Sequence, residues 1–222
     1  EFSIPVHTDA VQAIGAVPVE FAACGADALT LTGHKVGGPF GIGALLARRE
    51  LSLTPLLHGG GQERDVRSGT IDTPAIAGFA AAVEESVKQQ AEHAVRVAAL
   101  RDDLIRRVQQ VVSDVVASAA DAVRLPGHAH LRFTGCEGDS LLMLLDARGI
   151  ECSTGSACNA GVPQASHVLL AMGCSDAEAR SSLRFSLGHT TTAADIDALV
   201  TAIGPVVERA RAASQNRMKG GW

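Results

Sequence analysis

The stretch Asp27–Gly43 reads Asp-Ala-Leu-Thr-Leu-Thr-Gly-His-Lys-Val-Gly-Gly-Pro-Phe-Gly-Ile-Gly. Residues 28–31 alternate as a strand does. The strand then meets a hydroxyl, a glycine, an imidazole and an amine at Thr32, Gly33, His34 and Lys35, and enters a loop punctuated by Gly37, Gly38, Pro39, Gly41 and Gly43. Such a loop allows backbone to approach a bound group closely. A hydroxyl, an imidazole and exposed backbone N–H groups all donate to a phosphate. A lysine at a strand end, partly withdrawn from water, acts as a nucleophilic amine and forms Schiff bases. One cofactor requires a phosphate cradle beside a Schiff-base lysine, and that is pyridoxal phosphate. Taken alone, Gly-His-Lys reads first as a turn with a surface lysine, so the flanking sequence has to decide.

Upstream, residues 4–8 read as a strand, followed by Asp9-Ala10-Val11-Gln12. Ligands of α/β sheets sit beyond the carboxyl ends of strands, which places Asp9 and Gln12 to meet one. Asp9 has two readings: partner of a protonated pyridine nitrogen, or N-cap of the segment 10–15. The first residues, Glu1-Phe2-Ser3-Ile4-Pro5, read as the approach to a buried strand, and a preceding N-terminal portion is expected.

Downstream, residues 42–47 form a further strand. Two donor-rich, glycine-permitted loops follow, His58-Gly-Gly-Gly-Gln-Glu63 and Arg67-Ser-Gly-Thr70. Thr73-Pro74 starts a helix. The apolar spacing through Ile76, Phe79, Val83, Val87, Leu100, Leu104 and Val108 predicts helix to about residue 112, as one piece or two with a bend. A domain boundary is placed in it near Ser86. Beyond it the pattern predicts a strand at 129–133, a helix at 138–147, a short strand at 149–152 and a small-residue loop at 153–161. A helix at 164–172, a strand at 182–187 holding Arg184, and a last helix from near Thr192 to about 213 complete it. Asp195 is expected to act as a capping-box partner at the start of that last helix.

Composition narrows the function classes. With 46% hydrophobic residues a sizeable core is expected. A net charge of −5 with no basic stripe, no tyrosine and one tryptophan argues against nucleic-acid binding. No apolar run reaches the roughly 18 residues of a membrane helix. Five cysteines without a Cys-x-x-Cys pair point to a reducing cytoplasm with at least one reactive thiol. Cys158, in a polar loop without an apolar anchor, is the candidate. Cys24, Cys136 and Cys174 read as small buried or loop residues. Cys152 is six residues from Cys158, which leaves a metal or resolving role open. His128 and His130 have strand spacing without a recognised set of further ligands, so no metal is assigned.

Five segments in chain order, Thr8-Asp-Ala-Val-Gln12, Thr32-Gly-His-Lys35, Arg67-Ser-Gly-Thr70, Ser153-Thr-Gly-Ser-Ala-Cys158 and Ser182-Leu-Arg-Phe-Ser-Leu-Gly188, closely resemble the cysteine desulfurases of the IscS/NifS type. These are pyridoxal-phosphate enzymes of the class V aminotransferase group. The resemblance runs from about Val6 to the last helix. It implies an α/β fold: a remnant of the large domain of a fold-type I transferase with a mixed, mostly parallel sheet over residues 1–85, and a C-terminal α+β small domain over 86–222.

The resemblance also implies roles. Lys35 matches the Schiff-base lysine carrying pyridoxal 5'-phosphate. Asp9 matches the partner of the pyridine nitrogen, and Gln12 the residue beside the ring hydroxyl. Thr32, Gly33 and His34 match the phosphate turn, and Thr70 a threonine reaching the phosphate of the other subunit of a homodimer. Arg184 matches the arginine that holds the substrate carboxylate, and Cys158 the nucleophile, in a setting like that of the long-loop branch. The implied reaction converts L-cysteine to L-alanine, with Lys35 moving the Cα proton and Cys158 taking the sulfur as a persulfide. The implied partner is a sulfur-acceptor protein for iron–sulfur assembly or tRNA thiolation. Family chains carry an N-terminal portion that is not in this sequence, so a separate chain supplying that half is a further expected partner. The competing readings are a selenocysteine lyase, cysteine-sulfinate desulfinase or other class V relative, and a non-catalytic half that binds a partner.

Overall fold

The computed structural model describes residues 4–155 and 165–219. Cys158, Gln164 at the expected helix start, and the tail 220–222 lie outside the described residues. The chain divides into two compact units, residues 1–94 and 95–222.

The first unit holds a three-stranded sheet of order β1-β2-β3: β1 (His7–Asp9), β2 (Ala28–Thr32) and β3 (Gly43–Ala47). The sheet is mixed. β1 runs parallel to β2, with Asp9 opposite Thr30, and β3 runs antiparallel to β2, with Gly43 opposite Thr32. The segment after Asp9 is a run of turns rather than a helix. Helix α1 (Thr73–Val111) begins in this unit and is continuous. Its first turns back the glycine loop. A Cβ at Gly78 would come within 2.9 Å of the Pro39 ring, and Ser86 Oγ donates to the Val36 carbonyl at 3.2 Å. The core here is thin: Ala10, Ala26, Ala28, Leu29 and Phe79.

The loop between β3 and α1 contains a left-handed turn. Glu63, Arg64 and Asp65 have φ of 52°, 58° and 64°. Each such L-residue costs roughly 1–2 kcal/mol relative to right-handed backbone. Arg64 is exposed and has no ion-pair partner among the described residues. Arg64→Gly should therefore stabilise this unit by about 0.5–1 kcal/mol, after subtracting glycine's greater freedom in the unfolded chain. A urea melt in which the variant is no more stable than the parent would show that the turn is not strained.

The second unit contains an antiparallel sheet of order β4-β5-β6: β4 (Val115–Ala117), β5 (His128–Phe133) and β6 (Ser182–Ser186). Ala129, Leu131 and Phe133 point to the core face and His128, His130 and Arg132 to the other, the alternation that the period of two demands. On the core face lie the C-terminal half of α1 (Leu104, Val108), α2 (Gly138–Asp146; Leu141, Leu145) and α5 (Ala193–Lys219; Ile196, Leu199, Ile203, Val206, Val207). Each fully buried Leu or Phe in such a cluster is worth about 1.5–3 kcal/mol of transfer free energy. Pro205 removes one backbone bond inside α5. The helix runs on because Val206, Val207 and Ala210 are buried on either side of the next turn.

The expected strand at 149–152 is absent. Ile150 N–H donates to Leu145 O at 3.1 Å and Gly149 takes φ 72°, a Schellman-type close of α2 that uses up the backbone there. Pairing begins only at Ser153. The helix expected over 164–172 is shorter, α3 (His167–Ala171). Helix α4 (Asp176–Arg180) is an element beyond those expected from the sequence, and Ser175-Asp-Ala-Glu178 starts it as a capping box: Glu178 N–H donates to Ser175 Oγ at 3.3 Å, and Ser175 N–H to Glu178 Oε2 at 2.9 Å. These bonds to the ionised carboxyl hold Glu178 below the usual carboxylate range. Asp195 does the same for α5, accepting from Thr192 N–H at 2.8 Å, and is likewise lowered.

Candidate active site

In the first unit the two parallel strands end together. β1 stops at Asp9, where Ala10 N–H still donates to Thr30 O at 3.0 Å. The Asp9 carboxylate accepts from Val11 N–H at 2.8 Å, which orients it at the strand end. β2 continues to Thr32 and passes into a single 3-10 turn, Gly33–Lys35. Asp9, Thr32, Gly33, His34 and Lys35 therefore share the carboxyl end of this sheet, as the α/β rule requires. Gln12 is exposed in the turn just after Asp9.

The turn is held by backbone. Gly33 N–H donates to Ile42 O at 2.9 Å and Gly38 N–H to Gly33 O at 2.9 Å. A Cβ at Gly33 would stand 2.7 Å from Pro39 O and 2.8 Å from the Ile42 side chain, so only glycine fits. Thr32 Oγ1 lies 3.2 Å from His34 Nδ1 and 3.3 Å from Ile42 O. The His34 ring stacks on Phe40, centroids 5.6 Å apart and planes 6° apart. Lys35 is exposed, and no carboxylate lies within ion-pair distance of its amine among the described residues. The arrangement offers a hydroxyl, an imidazole and an amine within four residues, with a carboxylate on the next strand. That is a set of donors for an anion, a primary amine for a carbonyl, and an acceptor for a protonated ring.

Thr70 is exposed and follows a built loop. Buried Ser68 accepts from Gly61 N–H at 3.3 Å, and Gln62 Oε1 accepts from Gly69 N–H at 2.9 Å. Among the described residues no hydrogen bond joins Thr70 to the Lys35 turn.

Arg184 lies in the second unit, in β6. It sits opposite His130 in β5. On its other side it exchanges both backbone bonds with Ser153, at 3.0 and 2.6 Å. The segment leading to Cys158 thus leaves the sheet beside Arg184, a link that no local signal at Ser153 announced. Arg184 is exposed and has no carboxylate partner among the described residues. Its planar fork is therefore free for a carboxylate. His130, weighed above as a metal ligand, instead bonds through Nδ1 to Ser118 Oγ at 2.9 Å. Burial, reinforced by the guanidinium groups of Arg132 and Arg184, pushes its pKa down, so a neutral imidazole flanks the arginine. Among the described residues no three histidine, cysteine or acidic side chains cluster to hold a metal.

The described cysteines differ in surroundings. Cys136 is buried, which pushes its thiol up. Burial, then the nearby Asp146, lifts Cys152 to about 11, so it stays a thiol at neutral pH and is a poor nucleophile. Cys174 Sγ lies 3.1 Å from the Arg132 guanidinium, which also meets Glu178 at 3.1 Å. Cys24 is exposed.

Comparison with known proteins gives consistent matches. The family described as aminotransferase class-V matches residues 2–199. An IscS-like cysteine desulfurase of Mycobacterium tuberculosis is 54% identical over 215 residues, which span 96% of this chain and 55% of that protein. A cysteine desulfurase IscS of Dictyoglomus turgidum is 38% identical over 214 residues, 96% of this chain and 54% of the relative. Among solved structures, a NifS-like protein from Rickettsia africae superposes with a TM-score of 0.83 at 34% identity, over 91% of this chain and 53% of that one. The chain spans about half the length of the relatives it matches.

Proposed function

The chain belongs to the aminotransferase class-V family and has a NifS-like fold, and on that premise we propose that it is the part of a cysteine desulfurase that carries the cofactor lysine and the sulfur-accepting cysteine. One observation carries the reading: Asp9 and the Thr32–Lys35 turn share the carboxyl end of two adjacent parallel strands. This donor set suits pyridoxal 5'-phosphate, with Thr32, Gly33 and His34 toward the phosphate, Lys35 toward the aldehyde and Asp9 toward the ring nitrogen. Gln12 is assigned to the ring hydroxyl, and Thr70 to the phosphate held by a second copy in a homodimer. When bound, pyridoxal 5'-phosphate supplies an electron sink for negative charge at the substrate Cα.

The chain's own groups do the rest. The Lys35 amine would hold the cofactor covalently and, in its free form, would accept the substrate Cα proton as general base. Arg184 holds the carboxylate of L-cysteine through paired N–H donors. The Cys158 thiolate attacks the substrate sulfur. A sulfur–sulfur bond forms as the carbon–sulfur bond breaks, and the carbon takes up a proton to leave L-alanine. Cys158 is left as a persulfide, which passes its outer sulfur to an acceptor protein. Among the described residues no helix is long and apolar enough to cross a membrane, and we place the enzyme in the cytoplasm.

Selenocysteine lyase is the second reading, and Cys158 discriminates, because selenium release needs no thiol to receive it. Replacing Cys158 with serine should abolish persulfide labelling of the protein and lower alanine formation from L-cysteine by about a hundredfold or more. Unchanged turnover of L-cysteine in that variant would discard the desulfurase reading. A chain that binds no cofactor would leave a partner-binding half.

A further inference from the structure

The phosphate turn carries one residue that this assignment leaves without a role. Phe40 is 87% exposed, so its ring gains almost nothing from the core. Its partner is the imidazole of His34, stacked nearly parallel at 5.6 Å between centroids. The loop brings the two rings together by construction. The Gly33–Ile42 and Gly38–Gly33 backbone bonds close it, Pro39 abuts Gly78, and Gly41, with φ 78°, turns the chain directly after Phe40.

The opposite constraint on His34 comes from Thr32. The hydroxyl has one proton and two acceptors in reach, Ile42 O at 3.3 Å and His34 Nδ1 at 3.2 Å. The Ile42 carbonyl has two lone pairs and accepts from both Gly33 N–H and Thr32 Oγ1, so the hydroxyl meets Nδ1 either by accepting from it or by turning its own proton to it. When the Thr32 hydroxyl turns to donate to Nδ1, the neutral imidazole carries its proton on Nε2. Nε2 is then a donor without charge, suited to a phosphate oxygen. The hydrogen bond sets the direction of the ring within its plane, and the stack sets the plane.

We infer that Phe40 is a positioning residue for phosphate recognition: it clamps His34 in the orientation in which Thr32 occupies Nδ1 and Nε2–H donates to the phosphate of the cofactor. The inference rests on the cofactor reading above and is tested so that the two can fail separately.

The test uses the full chain with Phe40 intact, Phe40→Leu and Phe40→Tyr. The His34 ring nitrogens are followed by proton–nitrogen NMR during titration with inorganic phosphate. Affinities for pyridoxal 5'-phosphate and for pyridoxal, which lacks the phosphate, are measured by absorbance. The stack contribution of an aromatic pair predicts that Phe40→Leu weakens inorganic phosphate and pyridoxal 5'-phosphate by roughly threefold to tenfold. Pyridoxal should be unaffected, the His34 signal should change from the single Nε2–H form to a mixture, and Phe40→Tyr should restore the parent behaviour. Equal weakening of pyridoxal and its phosphate, an unchanged His34 signal in Phe40→Leu, or failure of Tyr to rescue would overturn the inference. So would phosphate that leaves His34 of the parent chain unmoved. Phosphate that moves His34 through Phe40, in a chain that takes up no pyridoxal 5'-phosphate at Lys35, would discard the cofactor reading and keep the positioning role.

Discussion

Lys35→Ala is expected to abolish covalent attachment of pyridoxal 5'-phosphate and to lower L-cysteine turnover by about a thousandfold or more. The amine is the one group at this end of the sheet that can form an imine with an aldehyde. It is exposed and free of a carboxylate partner among the described residues, so nothing in the fold occupies it. The variant loses both tasks assigned to it, holding the cofactor and moving the Cα proton, and alanine supplies neither. The exposed side chain makes no packing contribution, so the folding midpoint should stay within about 0.5 kcal/mol of the parent. The check is mass spectrometry after borohydride treatment, with and without the substitution. A stable adduct on a lysine other than Lys35, or one that survives Lys35→Ala, would remove the assignment.

The largest effect on stability is expected at Phe133. Its side chain is fully buried in β5 and belongs to the cluster that joins the sheet to α1, α2 and α5. Phe133→Ala removes most of a ring from a close-packed site and leaves a cavity that rigid neighbours on strand and helix cannot collapse into. The expected cost is about 3–5 kcal/mol, a large fraction of the 5–15 kcal/mol available to a typical domain. The exposed Val116, on the opposite face of the same sheet, makes the control: Val116→Ala should cost under about 1 kcal/mol. Denaturant melts of both variants decide the matter. A Phe133→Ala cost near that of the control would mean that the sheet is not seated on its helices as described.

Much of this architecture follows from short-range chemistry. The alternation of Leu131 and Phe133 determined a strand with one buried face. The stripe Ile196, Leu199, Ile203 and Val206 determined the last helix, though not its end, because the apolar spacing stops before the helix does. The Ser175–Glu178 capping box is a legible start signal for α4, but a five-residue helix is too short to add an apolar stripe to it. The 149–152 segment misled because Ile150 and Cys152 are separated as strand residues are, while the bond from Ile150 back to Leu145 reaches across five residues and is invisible to a period-two pattern.

The order of chemical groups is written along the chain: the acid after one strand, the hydroxyl, imidazole and amine after another, the arginine on a late strand and the cysteine in a small-residue loop. These are properties of neighbours, set by backbone alternation and by glycine and proline. Which groups meet is set by the fold. Parallel pairing of β1 with β2 carries Asp9 to the end of the sheet that bears Lys35, across a gap of 26 residues in sequence. Backbone exchange between Ser153 and Arg184 places the start of the cysteine loop at the arginine. Closure of the glycine loop lays Phe40 on His34. Each of these contacts rests on a hydrogen bond or ring contact whose partners are chosen by the folded backbone, and loop closure makes that choice without leaving a periodic trace in the sequence.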